Sequence, residues 1–438
     1  MWNLVVECAL ASGFAVGEPG VAQLGRGGAW VVRADDPTAA WADPAALAGL
    51  AREPHLEVQV LAAGAAFTPE GGPMVTTGSH LTAIPNLVVP IPRTPLWIAA
   101  GPPLTGATWS WPADGPQRYT VIEQSVIASD ALVAWGGSHR WLDVGLSVGL
   151  TAIDLHEQQV ITTALDGSLD PAYDVVSTIN ARGAAPALVV SARARGPVGF
   201  AVTVRAPGSA HLRGSLTSDF RDNTFFTGSS PFGQLITEPT STDDRVTVPL
   251  TLPATARVGI NLERETWDLE VDLGIDDWSR SREIRVTDVD LVIPTAAADD
   301  PVVTEDIVVP LGMKRSYTAC LGGEWRPAPG RAVRLGLGFA SASSPPNNRS
   351  ALVPDGDRYW LGVGGRSSSS ATRGPMRGQQ VAWALSPQIV RAPNNPSSVV
   401  AQVAIDPLSG AVGYGERVGN GQLDAWSVSF GVSLSRAR

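Results

Sequence analysis

From about residue 54 onward, apolar and polar positions alternate in short segments bounded by Gly, Pro, Asp and Ser. The last is the clearest: Trp426, Val428, Phe430, Val432 and Leu434 share one face, while Ser427, Ser429, Gly431 and Ser433 share the other. A strand with one greasy side and one small polar side suits a barrel wall that faces lipid. Segments 142–150, 188–195 with 198–205, 256–262 with 267–273, 331–339, 358–364 and 379–390 repeat the pattern. The turn Arg195-Gly196-Pro197 predicts a tight antiparallel hairpin. The polar stretches 155–182, 217–244 and 276–306 read as long loops. Short turns on one rim and long loops on the other predict an all-β transmembrane antiparallel barrel of about 14 strands. A soluble β-sandwich array or propeller would alternate similarly, but no blade-length repeat is present.

Composition agrees. The 438 residues are 44% hydrophobic and only 17% charged, with a mean hydropathy of +0.07. No stretch of about 18 apolar residues predicts a membrane helix, and a barrel strand needs only about 9–11 residues. A net charge of -10 argues against a nucleic-acid partner. Fourteen tryptophans fit either core packing or interfacial belts. His55, His80, His139, His156 and His211 lack metal-ligand spacing, and Cys8 and Cys320 are too few for a disulfide framework or zinc site. No nucleophile elbow, metal spacing or carboxylate pair accompanies the Ser, His and Asp present, so no catalytic residue, cofactor or metal is expected and the chain reads as a non-enzyme.

Residues 1–11 (MWNLVVECALA) are apolar and end like a secretory signal peptide, without its basic region. They are read as a signal-peptide remnant, with the mature chain starting near Ser12. Val-Val-Glu-Cys8 is a poor lipobox, which leaves Cys320 as a lone thiol.

Three stretches carry a resemblance. The first is Leu24-Gly-Arg-Gly-Gly-Ala-Trp-Val-Val-Arg-Ala-Asp-Asp-Pro-Thr-Ala-Ala-Trp-Ala-Asp-Pro-Ala-Ala-Leu47. Here Asp36 caps a short helix starting at Pro37, and Pro44 breaks it and opens a second turn. The second is Leu252-Pro-Ala-Thr-Ala-Arg-Val-Gly-Ile260, continued by Trp267-Asp-Leu-Glu-Val-Asp-Leu273 and Trp278-Ser279. The third runs from Ser344-Pro-Pro-Asn-Asn-Arg349 to Pro354-Asp-Gly-Asp-Arg-Tyr-Trp360. In that order they resemble the FadL-type outer-membrane transporters of long-chain fatty acids and other hydrophobic compounds. Asp43 stands where that family carries Asn.

The resemblance implies a hatch or plug over 12–52, with Gly25, Gly27, Gly28, Asp35, Asp36, Pro37, Asp43, Pro44 and Ala45 in its motif, and a barrel over 53–438. It implies a monomer in the outer membrane of a Gram-negative bacterium, in contact with outer-membrane lipid and lipopolysaccharide. Its cargo would be a long-chain fatty acid or other hydrophobic small molecule, caught at the outer face and released sideways through the wall. Gly101, Pro102 and Pro103 are candidates for that lateral gate, because neither proline can donate to a ladder. Lys314, the only lysine, would meet a substrate carboxylate. Arg349, Asp355, Asp357 and Arg358 would form a rim network. Alternatives are uptake of aromatic hydrocarbons by the same fold, or a structural or adhesive surface barrel.

Overall fold

The computed structural model describes residues 20–104, 108–164, 166, 168–223, 237–238, 240–293, 302–352, 354–368, 379–392 and 394–436. Residues 1–11, Cys8 and Ser12 lie outside the described residues.

Fourteen antiparallel strands close on themselves. The first six are β1 (His55–Pro69), β2 (His80–Pro90), β3 (Leu96–Leu104), β4 (Glu123–His139), β5 (Leu142–Thr162) and β6 (Asp174–Ala194). Two interrupted strands follow: β7 (Val198–Arg205, resumed as Gly208–Asp219) and β8 (Thr240–Leu252, resumed as Ala254–Glu263). The wall is completed by β9 (Trp267–Asp277), β10 (Arg315–Ala328), β11 (Arg331–Ala340), β12 (Asp357–Ser368), β13 (Gln379–Arg391) and β14 (Gly421–Arg436). β14 returns to β1 along a continuous register from Leu56↔Leu434 to Pro69↔Gly421. Closure gives every strand two neighbours, as a sheet in hydrocarbon requires.

Alternation gives the wall its two faces. On β1, Leu56, Val58 and Val60 are exposed, while Glu57, Gln59 and Leu61 are buried inside. On β14 the seryl face of the last segment points inward and Trp426, Phe430, Val432 and Leu434 outward. The tryptophans divide between both expected roles. Trp141, Trp267 and Trp325 are exposed near the short turns, whereas Trp30, Trp97, Trp109 and Trp278 are buried. Exposed Tyr317 and Tyr359 stand near the long-loop rim, completing the interfacial pattern.

The inner face changes along the barrel axis. On β1 the inward residues run Glu57, Gln59, then Leu61, Ala63, Ala65 and Phe67. On β14 they run from Leu423 and Ala425 to Ser427 and Ser429. The apolar upper band merges with a core built by the loops, including Trp109, Trp111, Leu291, Ile307, Leu311 and Leu352. Loop hairpins Glu283–Val286 with Ile307–Pro310, and Leu291–Val292 with Val302–Val303, lie within this canopy.

Two stretches read as loops are partly strand. β5 runs on to Thr162 and β6 begins at Asp174, paired throughout, and 217–219 pairs with 240–242. The outward residues there are polar (Asp154, His156, Thr178), which disguises the strands. They project beyond the bilayer, and their inner residues Leu155, Ile161, Val175 and Ile179 join the canopy core.

Candidate functional site

The N-terminal segment lies against the inner faces of the wall. It contains α1 (Val21–Gly25), α2 (Ala39–Ala42) and a 3-10 turn (Pro44–Gly49). Asp36 Oδ1 accepts the Thr38 N–H at 2.9 Å and orders the turn through Pro37, but the helix itself starts two residues later than the sequence predicts, at Ala39 with Thr38 as its N-cap. Asp43 then accepts the Ala45 N–H at 3.2 Å and starts the turn at Pro44.

Three carboxylates on the inner face of β9 hold this segment. Asp272 Oδ2 accepts the N–H groups of Trp30 and Val31 at 2.7 and 3.0 Å. Glu270 accepts those of Val32 and Arg33 at 2.6 and 3.1 Å. Arg26 places Nη1 2.6 Å from Asp268 and Nη2 3.2 Å from Glu270, with all three side chains fully buried. Elsewhere Val21 donates to Glu57 at 3.1 Å and Ala45 to Ser191 Oγ at 2.8 Å. The signal for β9 was available: in Trp267-Asp-Leu-Glu-Val-Asp every second residue is acidic, so one phase faces lipid and the other a polar interior.

Glycines let the two backbones meet. A Cβ on Gly336 or Gly322 would overlap the Arg26 carbonyl, and one on Gly362 the Leu24 carbonyl. Gly25 packs on Gly364, and Gly27 takes φ +60° directly over the Gly336 backbone. On β4 and β5, Gly136 and Gly145 seat the turn around Pro44, Ala45 and Ala48. Gly28 has φ +90° at the exit of α1.

Charges within the segment are uneven. Burial would raise the Asp35 carboxyl, but Arg33, Arg366 and Arg334 outweigh it and hold Asp35 well below the usual carboxylate range. Burial instead pushes Asp36 up, with Glu57 adding to it against His55. Burial also pushes Asp43 up to about 6, against Ser191 and Arg193.

The residues expected at a gate meet an interrupted ladder. β2 pairs with β3 only from Leu87↔Ala100 to Pro90↔Trp97. Above that, β2 residues His80–Asn86 pair with β1 alone, and Gly101 and Leu104 pair with β4 across a register shift spanning Pro102 and Pro103. A Cβ on Gly101 would collide with Asn86 Oδ1. Asn86 in turn donates to Glu57 at 2.8 Å. Pro85, on the β2 lip, went unnoticed in the sequence and likewise lacks an N–H.

At the long-loop end two clefts adjoin. The outer one, about 680 Å³, is lined by Arg282, Lys314, Arg315 and Arg349, with Asp357 its one carboxylate. Lys314 donates its backbone N–H to Ser343 O at 2.8 Å. Asp355 orders that loop by accepting the Ser343 N–H and Oγ–H, each at 2.8 Å. Arg349 is 7% exposed, and its Nε and Nη1 have no partner among the described residues. Burial pulls its guanidinium below the ordinary value despite nearby Asp355 and Asp357. The second cleft, about 440 Å³, is largely apolar, with Val126, Leu155, Val248, Leu250, Ile284 and Leu311 in its walls; Arg282 and Met313 belong to both. The expected rim set therefore divides. Arg349 and Asp357 face the outer cleft, while Arg358 follows the inward phase of β12 and reaches a lower cavity of about 190 Å³ with a mixed lining beside Trp360. Cys320, a buried cysteine, borders that same cavity.

A closed fourteen-strand wall with an apolar outer belt defines a β-barrel of the outer-membrane kind. Residues 201–369 match the family described as outer membrane protein transport protein (OMPP1/FadL/TodX). Among solved structures, a Pseudomonas aeruginosa FadL homologue is 15% identical, with 97% of this chain and 99% of that one covered at a TM-score of 0.72. The Pseudomonas putida toluene transporter TodX is 13% identical, with 97% and 100% covered at 0.65. The Ralstonia pickettii toluene transporter TbuX is 12% identical, with 97% and 99% covered at 0.60. No curated protein matches the sequence. The family match thus covers the middle of the chain, residues 201–369, while the likeness to these solved structures extends the same barrel fold over nearly all of it.

Proposed function

We propose that this barrel carries long-chain fatty acids or closely similar anionic amphiphiles inward, by capture in an apolar cleft and lateral release through the wall. The carrying observation is the junction of a cationic cleft with an apolar one through Arg282 and Met313. A carboxylate head would meet Lys314 and the half-satisfied Arg349, while the chain enters the apolar side. Transfer needs no energy source, since burial gains about 0.8 kcal/mol per methylene. Residues 12–52 serve as the hatch of this pathway, and the break at Gly101–Pro103 as its side door. Its position supports that reading, because the inner wall turns polar at Glu57 and Gln59 and disfavours a straight descent.

The toluene-transporter likeness supports a second reading, an uncharged aromatic cargo. Binding of a labelled long-chain fatty acid to detergent-folded protein, competed with toluene, separates the two. Displacement by fatty acids alone, with binding weakened at least tenfold in Lys314→Ala, is the expected result. Displacement by toluene with Lys314→Ala unaltered would overturn it.

A further inference from the structure

The outward face of the wall changes character along one row of residues. On β5 the outward positions are apolar from Val144 through Leu150, and beyond Ala152 comes Asp154. On β6 the matching apolar run ends at Ala184, and the next outward residue is Arg182. On β7 the outward face reaches Arg213. These three are register partners, Asp154↔Arg182 and Arg182↔Arg213. On β5 and β6 the apolar run below the row is about ten residues, the length of one bilayer crossing by a barrel strand. The row lies toward the long loops, so it sits at the headgroup level of the outer leaflet.

Two guanidinium groups directly opposite on paired strands repel. Arg182 Nε is 2.9 Å from Asp154 Oδ2, which offsets one charge. Arg213 is exposed and has no ion pair among the described residues. Two other exposed arginines toward this rim are paired, Arg245 with Asp243 and Asp290, and Arg315 with Asp277. The row thus carries one unbalanced positive charge, with two forked donors spaced across adjacent strands. Exposed His211 stands two residues from Arg213 on the same face.

We propose that Arg182 and Arg213 together bind a phosphate of the outer leaflet's glycolipid, the lipid A portion of lipopolysaccharide. The guanidinium fork matches phosphate oxygens, and a bridging dianion converts the repulsion between the arginines into attraction. Acyl chains of the same lipid would lie along the apolar residues beneath.

The test is retention of diphosphoryl lipid A by folded protein in detergent, compared with dephosphorylated lipid A and challenged by inorganic phosphate. Wild-type protein should prefer the phosphorylated lipid, and Arg182→Gln/Arg213→Gln should retain it at least fivefold less. Arg331→Gln, at the opposite rim, should match wild type. Should the double variant fail to fold, Arg213→Gln alone, which breaks no ion pair, is read in the same assay. Equal retention by variant and wild type, no preference for the phosphorylated lipid, or full displacement by millimolar inorganic phosphate would each overturn the site.

Discussion

Gly336 of the wall and Arg26 of the N-terminal segment are in backbone contact: any Cβ at 336 would overlap the Arg26 carbonyl oxygen. With Gly322 and Gly362 on the flanking strands, it forms a seat that only hydrogen can fill. Gly336→Val is expected to lift residues 24–28 from the wall, at about 1–3 kcal/mol by analogy with other overpacked sites. The barrel itself should still close. Single-channel recording checks this, with higher conductance than wild type as the expected outcome.

The buried ion pairs of Arg26 make a sharper experiment. Arg26→Met leaves Asp268 and Glu270 enclosed with fewer compensating charges, and breaking such a pair from one side costs about 3–5 kcal/mol. Hydrogen exchange across residues 20–33 should accelerate by orders of magnitude, while amides of β9 keep their protection. Unchanged exchange would mean that the carboxylate hydrogen bonds to Trp30, Val31 and Val32 suffice.

Asp43 supplies a pH dependence. Its carboxyl is raised from an ordinary 3.8 to about 6 in the folded protein. A raised acid contributes stability that is fully present below the unfolded value and lost as pH rises through the folded one. Docking of the 44–49 turn should therefore be tightest below about pH 4 and loosen through about pH 6. A shift of this size corresponds to roughly 3 kcal/mol between the two protonation states. Asp43→Asn, neutral at every pH, should flatten the profile, as read by exchange of the Ala45 and Ala46 amides from pH 4 to 8.

The break between β2 and β3 yields a transport prediction. Replacing Pro102 and Pro103 with valine restores two N–H groups to the ladder and should reduce uptake several-fold. Gly101→Leu acts from the other direction, forcing Asn86 away from Glu57. Uptake of labelled fatty acid by cells is the measurement, with heat-modifiable gel mobility confirming folding. Full uptake by the proline variant would remove the side door from the mechanism.

Much of this architecture is legible in the chain. Residues 426–434 alone reveal a strand with a lipid side and an interior side, because a period of two survives wherever one face is uniformly apolar. Where strands leave the bilayer that contrast vanishes, which is why 155–162 and 174–182 read as loop although both are paired. Asp36, Asp43 and Pro44 declare their turns through local capping chemistry. The seat of Gly322, Gly336 and Gly362 does not declare itself, since it depends on which strands become neighbours. The division of Asp357 from Arg358 follows simple alternation, yet it emerges only once the starting phase of β12 is known.

The polarity reversal along the lumen has a consequence for what the cell keeps out. A charged or strongly hydrated solute must shed its water to pass the apolar core of the canopy. An oily solute that clears the canopy next meets the seryl and carboxylate lining beside Glu57, Gln59, Ser427 and Ser429. Each zone alone would leak one class of molecule. Stacked in series they act like two filters of opposite sign, so a solute that favours one zone is disfavoured by the other.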